Sequence, residues 1–244
     1  MRKTDSQPLG RAPLSAAVED YLKAIHALRE DGLEVVSTQS IANRLQVAPP
    51  SATAMLKKLD ALGLAHHEPY RGVELSAAGE KIALEIVRHH RIIETFLAEI
   101  LGLDWDCVHD EAERLEHVLS ERVEAAMMRK LGNPTRDPHG APIPGERGEL
   151  TRVAEIRLSE VEAGFAGQIS RVEDENSAIL RHLRELGLQV GTRFEILRAE
   201  AVEGILKLRL ENEEINQSRE ITESREITLG IDPAARVWVE KEAV

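Results

Sequence analysis

The alternation of apolar and polar positions predicts helices first. In SAAVEDYLKAIHALREDG, residues 15–32, Val18, Leu22, Ile25 and Leu28 recur at helical spacing between a capping Ser15 and a stop at Gly32. STQSIANRLQV (37–47) predicts a short second helix opened by Ser37 or Thr38. PPSATAMLKKLDALG (49–63) predicts a third, with proline in its first turn and Gly63 past its end. All three short helices are expected to close at a glycine. The pattern then changes period: LAHHEPYRGVELSAAG alternates Leu64 with His66 and Val73 with Leu75 around EPYRG, a hairpin with its turn near Pro69–Gly72. Three helices and a hairpin are the order of a winged helix-turn-helix, whose reading helix, here 50–62, enters the DNA major groove.

Two long amphipathic helices are expected next. Over 76–102 the apolar stripe is Ile82, Ile86, Ile93, Phe96, Leu97 and Ile100, ending at Gly102. Over 104–132, with Asp104 as the cap, Val108, Leu115, Val118, Leu119, Val123 and Met127 mark the buried side. Such a pair beyond a winged helix suits association. Residues 133–150, NPTRDPHGAPIPGERGEL, hold four prolines and three glycines and read as a linker. Strand patterns follow in 156–172, 190–210 and 236–244, around a short helix in 175–187, and suggest a small SH3-like barrel. SREIT occurs at 218–222 and again at 224–228, which reads as a slipped duplication inside an exposed hairpin, since two copies are too few for a repeat architecture.

Composition sharpens this picture in three respects. The 244 residues are 42% hydrophobic but only 3% aromatic, so the cores are aliphatic and more than one domain is expected. Cys107 is the single cysteine, which excludes an internal disulfide and a cysteine-pair zinc motif; with no apolar run near the length of a membrane span and a polar start, a cytoplasmic protein is expected. A net charge of −12 argues against nonspecific coating of nucleic acid. Between Ser37 and Leu75, however, Arg44, Lys57, Lys58 and Arg71 face only Asp60, Glu68 and Glu74, so a local DNA-reading face escapes the acidic bias.

The polar faces of the long helices carry the candidate chemistry. His90 and Glu94 are four apart and project from one side, His109 and Glu113 repeat that spacing, and Glu116 and His117 follow one turn on. Imidazole with carboxylate suits borderline to hard divalent metals such as Mn, Fe or Zn. One such pair is more often a solvated helix face; two on adjacent helices match a recurrent scaffold for metal sites.

These residues bring a family into view. VEDYLKAI in the first helix, RHHRIIETFLAEILGLDWDCVHDEAERLEHVLSERVE across the long helices, GNPTRDPHGAPIPG at the boundary and the barrel-like tail resemble the DtxR/MntR metal-dependent transcriptional repressors along nearly the full length. The resemblance implies a dimer that takes a divalent metal as corepressor and then binds a palindromic operator. It implies an effector site of Asp20, Glu113, Glu116 and His117, and a second site of His90, Glu94 and His109 completed by Asp174 from the barrel, with Glu173 as the alternative. Iron-sensing members carry Met and Cys where Asp20 and Glu113 stand, whereas manganese-sensing members carry Asp and Glu; hard oxygen donors point to Mn²⁺, with Fe²⁺ the alternative. Lys23 stands where short manganese members place a further Glu, which favours separated sites over a closely spaced pair.

The resulting division is an N-terminal arm (1–13), expected to be flexible, a winged helix-turn-helix domain (14–76), a helical metal-binding and dimerisation domain (77–132), a linker (133–150) and an SH3-like, FeoA-like domain (151–244). The fold class is mainly α with small β. DNA-contact candidates are Thr38, Gln39 and Ser40 at the second helix, Pro50, Ser51, Thr53, Lys57 and Lys58 on the third, and Arg71 in the wing. Ala54, a small apolar residue on the reading face, can touch only a thymine methyl, so base readout is expected to be sparse. The expected function is metal-dependent repression of metal-uptake genes, without enzymatic activity or membrane insertion. The alternatives are a carboxylate and histidine metalloenzyme, and a winged-helix regulator sensing a small organic ligand.

Overall fold

The computed structural model describes residues 14–68, 71–150, 154–200, 204–216 and 219–241. The expected arm, the hairpin tip at Pro69 and Tyr70, and Ser218 at the start of the SREIT duplication lie outside them. The chain divides into two compact units, residues 1–87 with 146–148, and residues 88–145 with 149–244.

In the first unit, α1 (Ala16–Glu30), α2 (Thr38–Arg44) and α3 (Pro49–Ala61) precede an antiparallel hairpin of β1 (Ala65–Glu68) and β2 (Gly72–Leu75), and α4 (Ala77–Glu99) then begins. This is the winged helix-turn-helix order. Leu22, Ile25, Ile41, Leu56, Leu59 and Ile82 share one aliphatic core. Gly32 and Gly63 take the left-handed conformation after α1 and α3, but α2 is followed by Gln46 at φ 52°, so a non-glycine residue carries that turn, against expectation. Gly79 lets α4 press on the hairpin: a Cβ there would lie 1.9 Å from the carbonyl oxygen of Leu64.

The second unit corrects the expectation of a second long helix. Its residues form α5 (Val108–Leu115), a 3₁₀ turn at Glu116–Val118, and α6 (Glu121–Lys130). Leu119 is extended, at φ −69° and ψ 124°, and the Ser120 side chain caps α6 by accepting from the Val123 amide. Cys107, not Asp104, occupies the N-cap of α5. Of the expected buried stripe only Val108 is fully covered, packing with Ala112, Ile93 and Leu97, whereas Leu115, Val118 and Val123 stand 42%, 77% and 45% exposed. Ile100 on the preceding stripe is likewise 38% exposed.

Residues 133–145 also differ from a linker. Their prolines exclude helix, but Ala141 and Ile143 are buried, and the carbonyls of Pro144 and Pro142 accept from Arg88 and Arg91 at 2.5 Å. Gly140, at φ 87°, sits where a Cβ would fall 2.0 Å from Ser170 O. The missing backbone donors and left-handed turns that rule out regular structure still allow a packed strap.

Six antiparallel strands complete this unit: β3 (Ile156–Arg157), β4 (Ala166–Val172), β5 (Arg193–Glu200), β6 (Ile205–Asn216), β7 (Arg219–Gly230) and β8 (Val237–Lys241), in the order β3-β8-β4-β5-β6-β7. Between β4 and β5, α7 (Ser177–Leu186) packs Leu180 and Leu183 onto a core with Ile169, Phe194, Leu208 and Val237. Register shifts at Ile169/Arg171 and Ile196/Arg198 bend the strands, as bulges do. The domain is SH3-like and β-rich; among the described residues no ladder joins β3 to β7 to close a barrel.

Candidate metal centre

Helix α4 turns a polar face inward. His90 is 4% exposed and Glu94 0%, within a stretch whose neighbours Ile92 and Ile93 supply the apolar face. Buried polar groups of this kind require partners. His90 has Nδ1 2.5 Å from Glu116 Oε2, and Nε2 3.0 Å from Glu94 Oε1 and 3.1 Å from His109 Nδ1. His109 Nδ1 lies 3.3 Å from the same Glu94 oxygen and 3.8 Å from Asp174 Oδ2. Donors about 2.1 Å from one cation and at right angles to each other stand about 3 Å apart, so this spacing fits a shared ion.

The strap at 133–145 adds two groups that the sequence reading missed. Asp137 and His139 are 6% and 0% exposed, and with Glu94 and Asp174 they form a second set of converging ligand atoms. Asp137 Oδ1 accepts from the amides of His139 and Ala141, both at 2.9 Å, which fixes the turn. His139 Nε2 donates to the Trp105 carbonyl at 2.7 Å, directing Nδ1 towards Glu94 Oε2, 3.8 Å away. That separation is too long for a hydrogen bond. Glu94 Oε2, Asp137 Oδ2 and His139 Nδ1 are buried without hydrogen-bond partners, the condition a bound cation would relieve. Glu94 thus faces one donor set with each oxygen, and Asp174 belongs to both.

The electrostatics follow from this crowding. Burial opposes ionisation of Glu94, but the charge of His90 and the bonds from the surrounding histidines outweigh it and hold the carboxyl well below its usual range. Burial pushes Asp137 up to about 7, helped by Glu94 and opposed by Arg91. Burial would lower His139, yet Glu94, Asp174 and Asp137 together raise it to about 10. Protons and cations compete for such a cluster.

Glu116 is fully buried and shares a group with His90 and Glu113, while His117 is half-buried with Nε2 3.7 Å from Glu116 Oε1. Glu113 is more exposed and lies 3.8 Å from His109. Glu173 pairs instead with Arg236, leaving Asp174 as the acid near His109. Cys107 is exposed and belongs to none of the donor groups found among the described residues. Asp20 is half-buried on α1 of the first unit.

Also in that unit, Gln39, Pro50, Ser51, Lys57, Lys58 and Arg71 are exposed and Thr38 is half-buried. Two of these candidates also make local hydrogen bonds. The Ser40 hydroxyl donates to Ser37 O at 2.8 Å within the capping box of α2, and Thr53 Oγ1 donates to Pro49 O at 3.0 Å.

Three family descriptions match in chain order. Residues 13–73 match "Iron dependent repressor, N-terminal DNA binding domain", 76–145 match "Iron dependent repressor, metal binding and dimerisation domain", and 156–241 match the FeoA domain. The diphtheria toxin repressor of Corynebacterium efficiens is 32% identical over 200 residues, covering 73% of this chain and 82% of its own. The chain belongs to the DtxR family. The iron-dependent repressor IdeR of Mycobacterium leprae is 30% identical over 190 residues, covering 73% of this chain and 82% of its own. A solved manganese-dependent transcriptional repressor in complex with manganese superposes with a TM-score of 0.84 at 34% identity, covering 92% of this chain and 100% of that one. As a DtxR-family member the chain is a metal-dependent, DNA-binding transcriptional repressor, and the metalloenzyme reading is set aside because these relatives are repressors. No helix among the described residues is long and apolar enough to cross a membrane.

Proposed function

We propose that this repressor responds to Mn²⁺, binds a palindromic operator as a dimer and controls genes for metal uptake. The observation that carries the metal choice is the donor set. Asp20, Glu113 and Glu116 offer oxygen and His117 offers nitrogen, with no thiolate or thioether among them. Hard donors forgo the sulfur preference that favours later transition metals. The second position draws on His90, Glu94, His109 and Asp174, and the buried atoms of Glu94, Asp137 and His139 that make no hydrogen bond support a cation there.

When bound, the cation supplies concentrated positive charge that cancels the repulsion among these carboxylates. Asp20 belongs to the helix bundle that carries α3, and Glu113, Glu116 and His117 belong to the second unit. These four would serve as effector ligands, as the family resemblance implies, and the corepressor effect would equal the difference in ion affinity between the DNA-binding and released states. The apolar surface of Leu115, Val118 and Val123 suits the dimer contact. Gln39, Pro50, Ser51, Lys57, Lys58 and Arg71, with Thr38, Ser40 and Thr53 beside them, form the DNA face.

The test uses duplex selected from a randomised pool by the Mn²⁺-loaded protein. Anaerobic anisotropy titrations with Mn²⁺, Fe²⁺ or chelator should show Mn²⁺ giving the tightest complex, with Asp20→Ala removing the response. Equal affinity in chelator and Mn²⁺ rejects the corepressor model, and stronger activation by Fe²⁺ at equal free concentration rejects the metal assignment.

A further inference from the structure

Two neighbouring histidines of α4 grip one residue from two sides. His90 takes the Glu116 carboxylate, Nδ1 to Oε2 at 2.5 Å, while His89 meets the Glu116 main-chain carbonyl, Nδ1 to O at 3.2 Å. The other ring nitrogen of His89 lies 3.1 Å from Glu124 Oε2. Glu124 in turn accepts from Arg88 Nε at 2.6 Å, and the same guanidinium donates to Pro144 O at 2.5 Å. His89 and Arg88 are 6% and 8% exposed, so these contacts are sheltered from water.

The position of Glu116 explains why such a strut is needed. The chain leaves the α-helix at Glu116–Val118 and is extended by Leu119, so this peptide sits in a single 3₁₀ turn without a continuing α-helical ladder. Beyond the turn, α6 buries none of its own residues, and Glu124 is its ion-paired tie to α4.

We propose that His89 is a positioning residue for the effector metal: by donating from Nδ1 to the Glu116 carbonyl, with its ring lodged against Glu124, it fixes the backbone from which the Glu116 carboxylate is presented. This rests on the reading of Glu116 and His117 as effector ligands. Partners of this kind around metal ligands change affinity by about 10–100-fold when removed.

The experiment titrates Mn²⁺ alone into the full chain and follows free ion by EPR, with thermal unfolding in chelator as a control for folding. His117→Ala and His139→Ala mark which binding step belongs to which position. His89→Leu should weaken the step affected by His117→Ala by about 10–100-fold and leave the step affected by His139→Ala at wild-type affinity. His89→Asn, which sets an amide nitrogen near the place of Nδ1, should restore most of the loss, whereas His89→Gln, which reaches towards Glu124, should not. Wild-type affinity in His89→Leu, or rescue by Gln and not Asn, overturns the proposal. Should the leucine variant fail to fold, the contrast between Asn and Gln decides it. If His117→Ala removes no step, the ligand assignment itself fails, and the assignment stands or falls on that variant independently of His89.

Discussion

In the proposed second metal position, Glu94 meets both sets of converging donors with one side chain. One oxygen faces His90 and His109, and the other faces His139, inside a site with no water-exposed surface on the carboxylate itself. Glu94→Gln keeps the volume and removes the charge, so it should weaken Mn²⁺ binding at that position by on the order of 100-fold or more, the upper end for loss of a metal-site partner. His139→Ala should cost less, because it removes one donor of the set. Isothermal titration of the two variants checks the order; equal losses would show that the two oxygens do not serve different donors. A second residue-scale effect lies away from the metal. Glu80, a hydrogen-bond partner of His26 at 2.9 Å, is held below 4.5 chiefly by that bond. A lowered carboxylate contributes stability above its unfolded-state pKa and loses it as pH falls through the folded value. Glu80 is 45% exposed, so solvent screening limits the contribution to about 1 kcal/mol or less. In urea unfolding with chelator, wild type should exceed Glu80→Gln in stability at pH 7, and the gap should close as the pH falls below 4.5.

At the scale of the element, the break between α5 and α6 separates what periodicity reveals from what it hides. Leu115, Val118 and Val123 were readable as one apolar side of a helix, but spacing does not say whether the cover is this chain or another. Nor does it reveal that Ser120 starts a new helix, because serine serves helix interiors and caps alike until the Leu119 backbone is seen to be extended. The His90/Glu94 and His109 positions were legible because four-residue spacing fixes a common face. Asp137 and His139 were not, because DPHG carries proline and glycine that mark a turn, and only the packing of that turn against Glu94 makes it part of a site. The uncovered surface carries its own test. Val118, the most exposed of the three at 77%, should be covered in a dimer, and Val118→Asp would place an unpaired charge there. Sedimentation velocity should show the variant shifted to monomer at concentrations where wild type is dimeric, with apo thermal stability unchanged; an unshifted variant would move the contact elsewhere.

For the whole molecule, charge sets how DNA binding can be built. A chain of net charge −12 is repelled by phosphate at a distance, so association depends on the few cations collected around α3 and the wing, Lys57, Lys58 and Arg71. In the proposed reading the carboxylates of the metal-binding region serve the corepressor ion, and the basic residues of α3 and the wing serve the DNA. The two roles should therefore separate in one experiment. Lys57→Ala should weaken Mn²⁺-loaded binding on every duplex and lower the slope of log affinity against log salt by about 1 per subunit, because one phosphate contact releases roughly one counterion. Asp20→Ala should abolish the Mn²⁺ dependence yet leave the salt slope of the residual binding near that of the metal-free wild type, since it changes the arrangement of the reading heads and not the number of cations each presents. Anisotropy titrations across 50–200 mM salt, a range wide enough for such slopes to be read, distinguish the two. An unchanged slope in Lys57→Ala would remove that lysine from the phosphate contacts, whereas loss of slope in Asp20→Ala would mean that the acid acts through the DNA face itself rather than through a shared ion.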